Sequence, residues 1–419
     1  MRNTQTKNVP ELRFPGFEGE WEEKKLGEFC EFNNGINAKK EQYGLGRKFI
    51  NVLDILNNNF ITYENIIGKV FVPENVEKNN KVEFGDLVFL RSSETREDVG
   101  LCNVYLDKNY ALYGGFIIRG KKVSDYNPIF LKEALNIPKK RYEIGSAAGG
   151  STRFNVSQDI LRKINVKFPP IEEQQKIGDL FSKLDRQIEL EEQKLELLQQ
   201  QKKGYMQKIF SQELRFKDEN GEDYLEWEEK QLGELGVTYA GLSGKAKEDF
   251  GFGKDVYVSY VNVFKNNIAT LEMVENVSIK PGEKQNNVKF GDILFTTSSE
   301  VPHEVGMSSV WLYEKDNVYL NSFCFGFRTT VSFINPIFLA RYLRSFEMRK
   351  LITILAQGST RFNISKKELM KLIVKIPRLD EQNRIINLFS ILDGGIELQS
   401  MKVRKLKKRK QGLLQKMFI

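Results

Sequence analysis

Histidine and cysteine, which commonly serve as catalytic bases, nucleophiles or metal ligands, are scarce in this sequence. It holds one histidine, His303, and three cysteines, Cys30, Cys102 and Cys324, none of which forms a Cys-x-x-Cys pair. Ser/His/Asp triads and histidine-containing zinc sites need imidazole, and an odd set of scattered cysteines builds neither a disulfide framework nor a cysteine-rich zinc site. The sequence therefore predicts no catalytic centre, no metal site, and reduced structural cysteines.

Two short motifs are close to chemistry-bearing ones without matching them. NPIF, at Asn127 and Asn335, is near the motif that holds adenine in amino-methyltransferases, but it lacks the second proline and no FxGxG loop precedes it. We interpret it as a proline that opens an amphipathic helix. GLG at Gly44 and GFG at Gly251 lack the strand-turn-helix context of a dinucleotide site, so we expect basic loops there. No GxxxxGKS/T phosphate loop occurs.

Composition narrows the class of partner. The 64 basic residues exceed the 56 acidic ones, which gives a formal charge of +8 and a pI near 9.0 and favours a polyanionic partner. No stretch reaches about 18 uninterrupted apolar residues, and the polar start MRNTQTKNVPELRF lacks the apolar run of a signal peptide. We expect a cytoplasmic chain that does not enter a membrane, with 419 residues divided among several domains.

The sequence segments that must position any site occur twice along the chain. The repeated segments are WEEKKLGE at Trp21 and WEEKQLGE at Trp227, FGDLVFLRSSE at Phe84 and FGDILFTTSSE at Phe290, NPIFL at Asn127 and Asn335, and GSTRFN at Gly150 and Gly358. The last stretch of each half is the most alike, whereas residues 36–80 agree only sporadically with their counterpart. This pattern predicts a mixed α/β (α+β) fold with a pseudo-two-fold internal repeat, in which two similar helices join two globular domains that differ. The predicted bounds are 1–168 and 213–376 for the domains and 169–212 and 377–419 for the helices.

Each predicted helix follows a short alternating strand that ends at proline. In both helices apolar residues recur at alternating steps of three and four, which is typical of a coiled-coil seam. The seams are interrupted by polar residues at two equivalent places, Glu191 and Lys202 in the first helix and Gln399 and Lys410 in the second.

Those interruptions suggest an antiparallel register. If Glu191 faces Lys410 and Lys202 faces Gln399, every other seam pair is apolar. The other pairs are Leu184 with Met417, Ile188 with Leu413, Leu195 with Leu406, Leu198 with Val403, Tyr205 with Ile396, and Ile209 with Leu392. A shift of one heptad in either direction would set Glu191 against Val403 or Met417 and leave a partly buried charge unpaired, so we prefer the first register.

Over nearly its whole length the sequence resembles the specificity subunits of Type I restriction-modification systems. The likeness is carried by the opening LRFPGFEGEWEEKKLGE, the FGDLVF and FGDILF strands, GSTRFNVS and GSTRFNIS, the helix starts PPIEEQ and PRLDEQ, and the helix ends QKIF and QKMF. The resemblance implies two target-recognition domains that each bind one half of a bipartite double-stranded DNA site, and conserved helices that form an antiparallel coil and set the spacing.

The resemblance also implies partners that do the chemistry. Two modification subunits would dock on the helices and methylate adenine at N6, and two restriction subunits would translocate and cleave DNA. The methyl donor and ATP would be bound by those partners, so no cofactor is expected on this chain. Because the LRF run recurs at Leu12 before the first domain and at Leu214 after the first helix, the layout is cyclic. We expect the two ends of the chain to lie close together.

DNA-binding candidates follow from comparing the two halves. Arg153 and Arg361 lie in the identical GSTRFN motifs, and identity suits phosphate contact, which carries no sequence information. The alternative is that the motif's polar residues cap a turn before helices that begin near Ser157 and Ser365.

Base-reading side chains should lie where the copies diverge. Arg91 and Arg96 suit guanine, and the carboxylates of Glu94 and Glu300 suit the amino group of cytosine. The full set of further candidates is Ser92, Ser93, Ser298, Ser299 and His303 in the loops after the FGD strands, and Lys39, Lys40, Arg47, Lys48, Lys245, Lys247 and Lys254 in the basic loops. The alternative for each is a solvated surface side chain.

Two other functions remain open on the sequence. One is an enzyme that methylates or cuts DNA alone, for which we find no methyl-donor pocket or metal-binding carboxylates. The other is an orphan DNA-binding protein, such as a repressor, that uses the same frame without enzymatic partners.

Overall fold

The computed structural model describes residues 8–419. They divide into two compact units: unit 1 comprises the chain up to Lys194 together with Gln399–Ile419, and unit 2 comprises Leu195–Leu398. Each unit holds one copy of the globular part and one portion of each long helix. Over the described residues, no helix combines the length and apolar composition needed to cross a membrane.

Unit 1 is built on two small sheets and two strand pairs. Its strands are β1 (Glu22–Lys25), β2 (Cys30–Asn34), β3 (Tyr43–Ile50), β4 (Lys69–Val70), β5 (Leu87–Leu90), β6 (Ser92–Ser93), β7 (Cys102–Val104), β8 (Leu112–Tyr113), β9 (Ile117–Lys122), β10 (Phe154–Asn155) and β11 (Asn165–Phe168). The sheets run in the orders β2-β9-β5-β7 and β4-β3-β8, and the pairs are β1-β11 and β6-β10. The helices are α1 (Val52–Asn57), α2 (Glu74–Asn79), α3 (Pro128–Asn136), α4 (Pro138–Ala147), α5 (Gln158–Lys163) and α6 (Ile171–Phe210).

Unit 2 repeats this plan. Its strands are β12 (Glu228–Gln231), β13 (Gly236–Ala240), β14 (Phe250–Val258), β15 (Val274–Val277), β16 (Ile293–Thr296), β17 (Ser298–Ser299), β18 (Ser308–Val310), β19 (Val318–Leu320), β20 (Cys324–Thr329), β21 (Ala356–Gln357), β22 (Phe362–Ile364) and β23 (Ile373–Ile376). The sheets run β13-β20-β16-β18, β15-β14-β19 and β17-β22-β21, and β12 pairs with β23. The helices are α7 (Tyr260–Lys265), α8 (Pro336–Tyr342), α9 (Phe346–Ile354), α10 (Lys366–Met370) and α11 (Leu379–Met417).

The strand of each FGD motif lies inside its four-stranded sheet. All four residues of β5 and of β16 are buried, which explains why both read as continuous apolar runs. The aspartate of the motif closes the turn before the strand. Asp86 Oδ2 accepts from the Glu83 amide at 2.9 Å, and Asp292 Oδ2 accepts from the Lys289 amide at 2.8 Å.

In each unit an ion pair joins the LRF motif to the start of a long helix. In unit 1 the Arg13 guanidinium donates two hydrogen bonds of 2.8 Å to the carboxylate of Glu173, in the first turn of α6. In unit 2 Arg215 donates to Glu381 of α11 at 3.3 and 3.0 Å. Both carboxylates are buried, so the arginine is required to compensate the buried charge. This pairing accounts for the same residue types in both halves.

NPIF opens a helix in each unit, as predicted. The side-chain oxygen of Asn127 accepts from the Phe130 amide at 2.9 Å, and Asn335 caps α8 in the same way through Ile337. The side-chain nitrogen of Asn127 also donates to Gln175 of α6 at 2.8 Å. The asparagine therefore joins the globular part to the long helix, and its polar groups are occupied by that role.

The two GxG segments lie in strands rather than in the predicted loops. Each forms a bulge, at residues 43–47 of β3 and 250–255 of β14, where the register against the neighbouring strand shifts. Gly46 and Gly253 have φ angles of +83° and +105°, and a Cβ atom on either would lie 2.5 Å from a carbonyl oxygen. Glycine is needed there because the bulge combines a left-handed backbone with close approach of the neighbouring strand.

The two long helices form as predicted, and in each unit portions of both pack antiparallel, but the predicted register is wrong. In unit 1 the Glu191 carboxylate accepts from Gln399 Nε2 at 2.7 Å and lies 2.5 Å from Lys402 Nζ. Lys410 Nζ instead lies 2.7 Å from Asp185. In unit 2 Lys202 pairs with Asp393 at 2.5 Å, so it does not meet Gln399. The helices are displaced by about one heptad from the predicted register.

The displacement also overturns the predicted apolar pairing along the seam. In unit 1 Leu406 lies in one apolar cluster with Leu184 and Ile188, and Leu413 is only half-buried at its edge. Ile188 was predicted to face Leu413, so its place beside Leu406 fits a shift of seven residues. The apolar pairs predicted from the first register are therefore wrong, namely Leu184 with Met417, Ile188 with Leu413, Leu195 with Leu406, Leu198 with Val403, Tyr205 with Ile396, and Ile209 with Leu392.

The displaced register satisfies the charges through residues outside the seam. At the seam positions of this register Glu191 faces Val403, which cannot pair with its charge. The glutamate side chain instead reaches Lys402 beside the buried Val403. Lys410 is neutralised by Asp185, which is not a seam position, and by Glu133 from the globular part of unit 1.

The first described residues and the end of α11 meet within unit 1, as the cyclic repeat predicts. The Leu12 amide donates to the Lys416 carbonyl at 2.8 Å, and Lys416 Nζ lies 2.7 Å from Glu11. The Phe418 ring packs edge-on against Trp21 at 6.3 Å. The last turn of α11 thus completes the core that the WEEKKLGE segment begins.

Candidate nucleic-acid interface

In both units the structure brings together the two motifs that sequence comparison selected separately. In unit 1 the serines of RSSETRED form β6 and pair with the Phe-Asn of GSTRFN in β10, with Phe154 opposite Ser93. In unit 2 Ser298 lies opposite Asn363, and Ser299 lies opposite Phe362. The shared motif and the diverged loop therefore form one surface in each unit.

The arginine of the shared motif lies on an exposed aromatic ring. The guanidinium carbon of Arg153 is 5.5 Å from the centre of the Phe116 ring, and that of Arg361 is 5.2 Å from the centre of the Phe323 ring. The phenylalanines are 56% and 53% exposed, and both arginines are exposed. Within residues 8–419, no carboxylate forms a salt bridge with either arginine. Each unit thus presents an accessible cation against a flat apolar surface, which suits a phosphate and its sugar.

The helix caps lie just beyond GSTRFN rather than within it. Ser157 accepts from the Ile160 amide at 3.2 Å and caps α5, and Ser365 caps α10 through Glu368. These serines come after the arginine in each motif. Capping therefore accounts for the serine two residues after GSTRFN and not for the arginine within it.

The diverged loops hold their candidates differently in the two units. Arg91 donates to the Gly115 carbonyl at 3.2 Å, and Arg96 donates to Gly145 and lies 4.4 Å from the centre of the Phe154 ring. The equivalent positions in unit 2 are Thr297 and Pro302. Unit 1 therefore has two cations at positions where unit 2 carries uncharged residues, and the surfaces present different chemistry.

The acidic and remaining polar candidates lie on the same loops. Glu94 and Glu300 are exposed, while Ser298 and Ser299 are buried beneath the loop of unit 2. His303 is exposed, and its carbonyl accepts from Arg349 at 2.9 Å. A base-reading role for these residues stays a prediction.

Two arginines outside the predicted set hold these loops in place. In unit 1 Arg141 of α4 donates to the carbonyls of Glu97 and Val99 at 2.7 and 2.8 Å. In unit 2 Arg349 of α9 donates to His303, Val305 and Gly306 at 2.9, 2.5 and 2.9 Å. Burial lowers the pKa of Arg349 to about 10, which leaves it charged at neutral pH. The recurrence of arginine at these two equivalent positions was a signal in the sequence. It was missed because a basic residue on a short helix usually lies on a solvent-exposed face.

The basic candidates on the GxG strands and in the segments just before them differ in their exposure to solvent. Lys39, Lys40, Lys247 and Lys254 are exposed. Arg47 is held between Glu77 at 3.0 Å and the Tyr110 hydroxyl at 2.8 Å, and Lys48 donates to the Ile66 carbonyl. Lys245 is buried against Glu283 at 2.6 Å and Ser278 at 2.7 Å. The ammonium of Lys245 is therefore occupied by protein partners rather than presented to a phosphate.

Metal-binding side chains do not cluster in the described part of the chain. No group of three or more His, Cys, Asp or Glu among residues 8–419 is placed to hold a metal ion. All three cysteines are free and buried, and burial raises the pKa of the Cys30 thiol to about 12. Their thiols are therefore poor nucleophiles at neutral pH.

Comparison with known proteins identifies the family. A model of the Type I restriction modification DNA specificity domain matches twice, over residues 18–200 and 224–408. A putative type I restriction enzyme MjaX specificity subunit from Methanocaldococcus jannaschii is 21% identical over 437 positions, which cover 99% of this chain and 94% of that protein. The type I restriction enzyme MjaVIII specificity subunit of the same organism is 21% identical, with coverage of 97% and 93%.

Solved structures show the same fold. The S subunit of a Type I restriction-modification system from M. genitalium matches with a TM-score of 0.57 and 16% identity, over 98% of this chain and 99% of that one. A chain from a structure describing complex assembly and conformational transition of the type I R-M system matches with a TM-score of 0.57 and 17% identity, over 97% and 98%. This chain belongs to the Type I restriction-modification DNA specificity family, and the predicted mixed α/β fold with an internal repeat is confirmed.

Proposed function

We propose that the protein is the specificity subunit of a Type I restriction-modification complex, in which each unit binds one half of a bipartite double-stranded DNA target. One observation carries the proposal: both units place the same arginine and exposed phenylalanine beside a loop of different sequence. The identical pair suits the DNA backbone, which is alike at every site, and the different loops suit two different half-sites.

The chain is proposed to recognise DNA while its partners act on it. Modification subunits, two per complex, dock on the long helices and methylate adenine at N6, and two restriction subunits join them. The methyl donor and ATP belong to those partners, and this chain has no catalytic role. The complex works in the cytoplasm, where host DNA lies. The family membership and the names of the M. jannaschii relatives support these assignments.

The test is the methylome of host DNA with and without the gene. Loss of N6-methyladenine from one bipartite motif, with all other motifs unchanged, is expected. An unchanged methylome in cells that express the modification subunit would contradict the proposal and favour the orphan DNA-binding protein. Methylation of DNA by the purified chain alone, with a methyl donor, would instead favour the stand-alone enzyme.

Point variants test whether the two shared arginines contact DNA. Arg153→Ala and Arg361→Ala should each weaken binding of the full complex to every DNA sequence and make binding less dependent on salt, because a phosphate contact is lost. Arg162→Ala is the matched control, since Arg162 is exposed on α5 and pairs with Asp159. Equal effects of all three variants would show that only general charge matters.

A further inference from the structure

A cavity opens beside the shared arginine in unit 2. Its volume is about 350 Å³, and it is lined by residues of α7, β17, the following loop and the GSTRFN motif. The lining residues used below are Tyr260, Phe264, Ser298, Glu304, Phe323 and Arg361. The cavity therefore lies within the surface that we assign to DNA.

One wall of the cavity is aromatic and rigid. Tyr260 and Phe264 are one turn apart on α7, with ring centres 6.0 Å apart and planes 13° apart. The Tyr260 hydroxyl donates to the Ser298 carbonyl at 2.6 Å, which fixes the ring against β17. A preformed flat wall suits a planar ligand, because no side chain has to be ordered on binding.

The lining of the cavity also includes an acidic side chain, Glu304, which is held in place. Ser299 Oγ donates to one carboxylate oxygen of Glu304 at 2.9 Å. Arg349 donates to the carbonyls on either side of Glu304, those of His303 and Val305. Ser298 is 3% exposed, and within the described residues its hydroxyl has no hydrogen-bond partner. The cavity thus offers a positioned hydrogen-bond acceptor, and a buried hydroxyl without a partner lies on a lining residue.

Unit 1 lacks the same combination at equivalent positions. Val52 and Leu56 of α1 occupy the places of Tyr260 and Phe264, and Asp98 occupies that of Glu304. The Asp98 carboxylate accepts from Thr95 Oγ1 at 2.7 Å. The arginine and phenylalanine beside the cavity are common to both units, whereas the residues that line it differ at these three positions.

We propose that the cavity of unit 2 receives the major-groove edge of a base that carries an exocyclic amino group, cytosine or adenine, with the Glu304 carboxylate as the acceptor. The proposal rests on the proposed function of the chain. A carboxylate only accepts hydrogen bonds, so it attracts an amino group and disfavours the oxo groups of thymine and guanine at the same place. Arg361, at the rim, holds the backbone of the same strand.

The test measures base preference with the complete complex of this chain and its modification subunits. Binding to a library of targets, randomised at each position of both half-sites in turn, is compared for the wild type and for Glu304→Gln, which keeps the shape and adds a donor. We expect the preference for an amino base over an oxo base to fall by about tenfold at one position of one half-site. Phe264→Leu, which installs the residue type of unit 1, should weaken the preference at that same position.

Asp98→Asn is the matched control and should leave that position unchanged. The position that responds reveals whether the base is cytosine or adenine. The inference is overturned if Glu304→Gln keeps every preference of the wild type, or if it lowers affinity uniformly for all sequences as a phosphate contact would. A wild-type complex that shows no base preference at all would overturn the proposed function itself, so the two failures are distinguishable. Circular dichroism of each variant confirms that it is folded.

Discussion

Lys410 of the second long helix lies 2.7 Å from Asp185 of the first and 3.1 Å from Glu133 of the globular part of unit 1. In unit 2 the equivalent lysine, Lys202, lies 2.5 Å from Asp393, which also pairs with Arg341 at 2.8 Å. The helix residues are the same in both units, but the globular part supplies a carboxylate in one and a guanidinium in the other. We call the contact of both long helices with the globular part of a unit its junction. The junctions of the two units therefore depend on their lysines to different extents.

Lys410→Met should destabilise the protein far more than Lys202→Met. The carboxylates of Glu133 and Asp185 are 4% and 6% exposed, and without Lys410 the salt bridge that remains to them among residues 8–419 is that of Lys132 with Glu133. Removal of one partner from a buried pair costs about 3–5 kcal/mol. Without Lys202, the half-buried Asp393 keeps Arg341, and we expect a loss of about 1 kcal/mol or less.

The measurement for both lysine variants is the free energy of unfolding by denaturant. Hydrogen exchange should locate the loss of protection in residues 399–417 for Lys410→Met. Equal destabilisation by the two variants would contradict the difference between the junctions.

The cost of Lys410→Met should depend on pH. Burial lowers the pKa of Lys410, but the carboxylates of Glu133 and Asp185 more than offset this effect, so the pKa of Lys410 is raised. The charged lysine therefore stabilises the folded protein below about pH 10.5, and this stabilisation is lost as the pH rises through the raised pKa. Burial raises the pKa of Glu133, but Lys132 and Lys410 more than offset it, so the pKa is lowered. Its contribution, present above about pH 4.5, is lost as pH falls through the lowered value.

Asp185 acts in the opposite sense, because burial raises its pKa and favours its protonated form. The difference in unfolding free energy between wild type and Lys410→Met should therefore be largest between about pH 5 and 10 and shrink outside that range. Denaturant unfolding of both proteins at a series of pH values checks this. A difference that does not change with pH would show that Lys410 acts through packing alone.

Crosslinking should distinguish the two coil registers. In the observed register Glu191 lies beside Gln399, so a short bismaleimide should crosslink the double variant Glu191→Cys, Gln399→Cys. Glu191→Cys with Lys410→Cys, which tests the register predicted from the sequence, should not be crosslinked. The native cysteines are buried, so they do not compete. Peptide mapping reads the result, and the opposite pattern would restore the first register.

Arg349→Gln should loosen the recognition loop of unit 2 without unfolding the unit. Three backbone carbonyls lose a charged donor, and a hydrogen bond to a charged group contributes about 1.5–3 kcal/mol. Amide exchange in residues 302–307 should accelerate by about tenfold or more, and DNA affinity should fall. Lys350→Gln, an exposed change on the same helix, is the control. Unchanged exchange in that loop would show that Arg349 does not position it.

The sequence alone determined the architecture because the duplication is visible in it. Repeated motifs predicted two similar halves, and proline and heptad patterns predicted helices at 169–212 and 377–419, where the structure has Ile171–Phe210 and Leu379–Met417. The cyclic order of the LRF runs predicted that the two ends of the chain lie close together, and in the structure Leu12 contacts Lys416. These features depend on local periodicity and on self-comparison, which need no coordinates.

Only the tertiary structure decided which side chains meet. A heptad repeat looks the same after a shift of seven residues, so the choice of Gln399 for Glu191 depended on the off-seam partner Asp185 and on Glu133, distant in the chain. The loop clamp by Arg349 and the cavity beside Tyr260 likewise join segments that are far apart in sequence. Pairing of buried charges is a property of three-dimensional surroundings, and composition and spacing do not contain it.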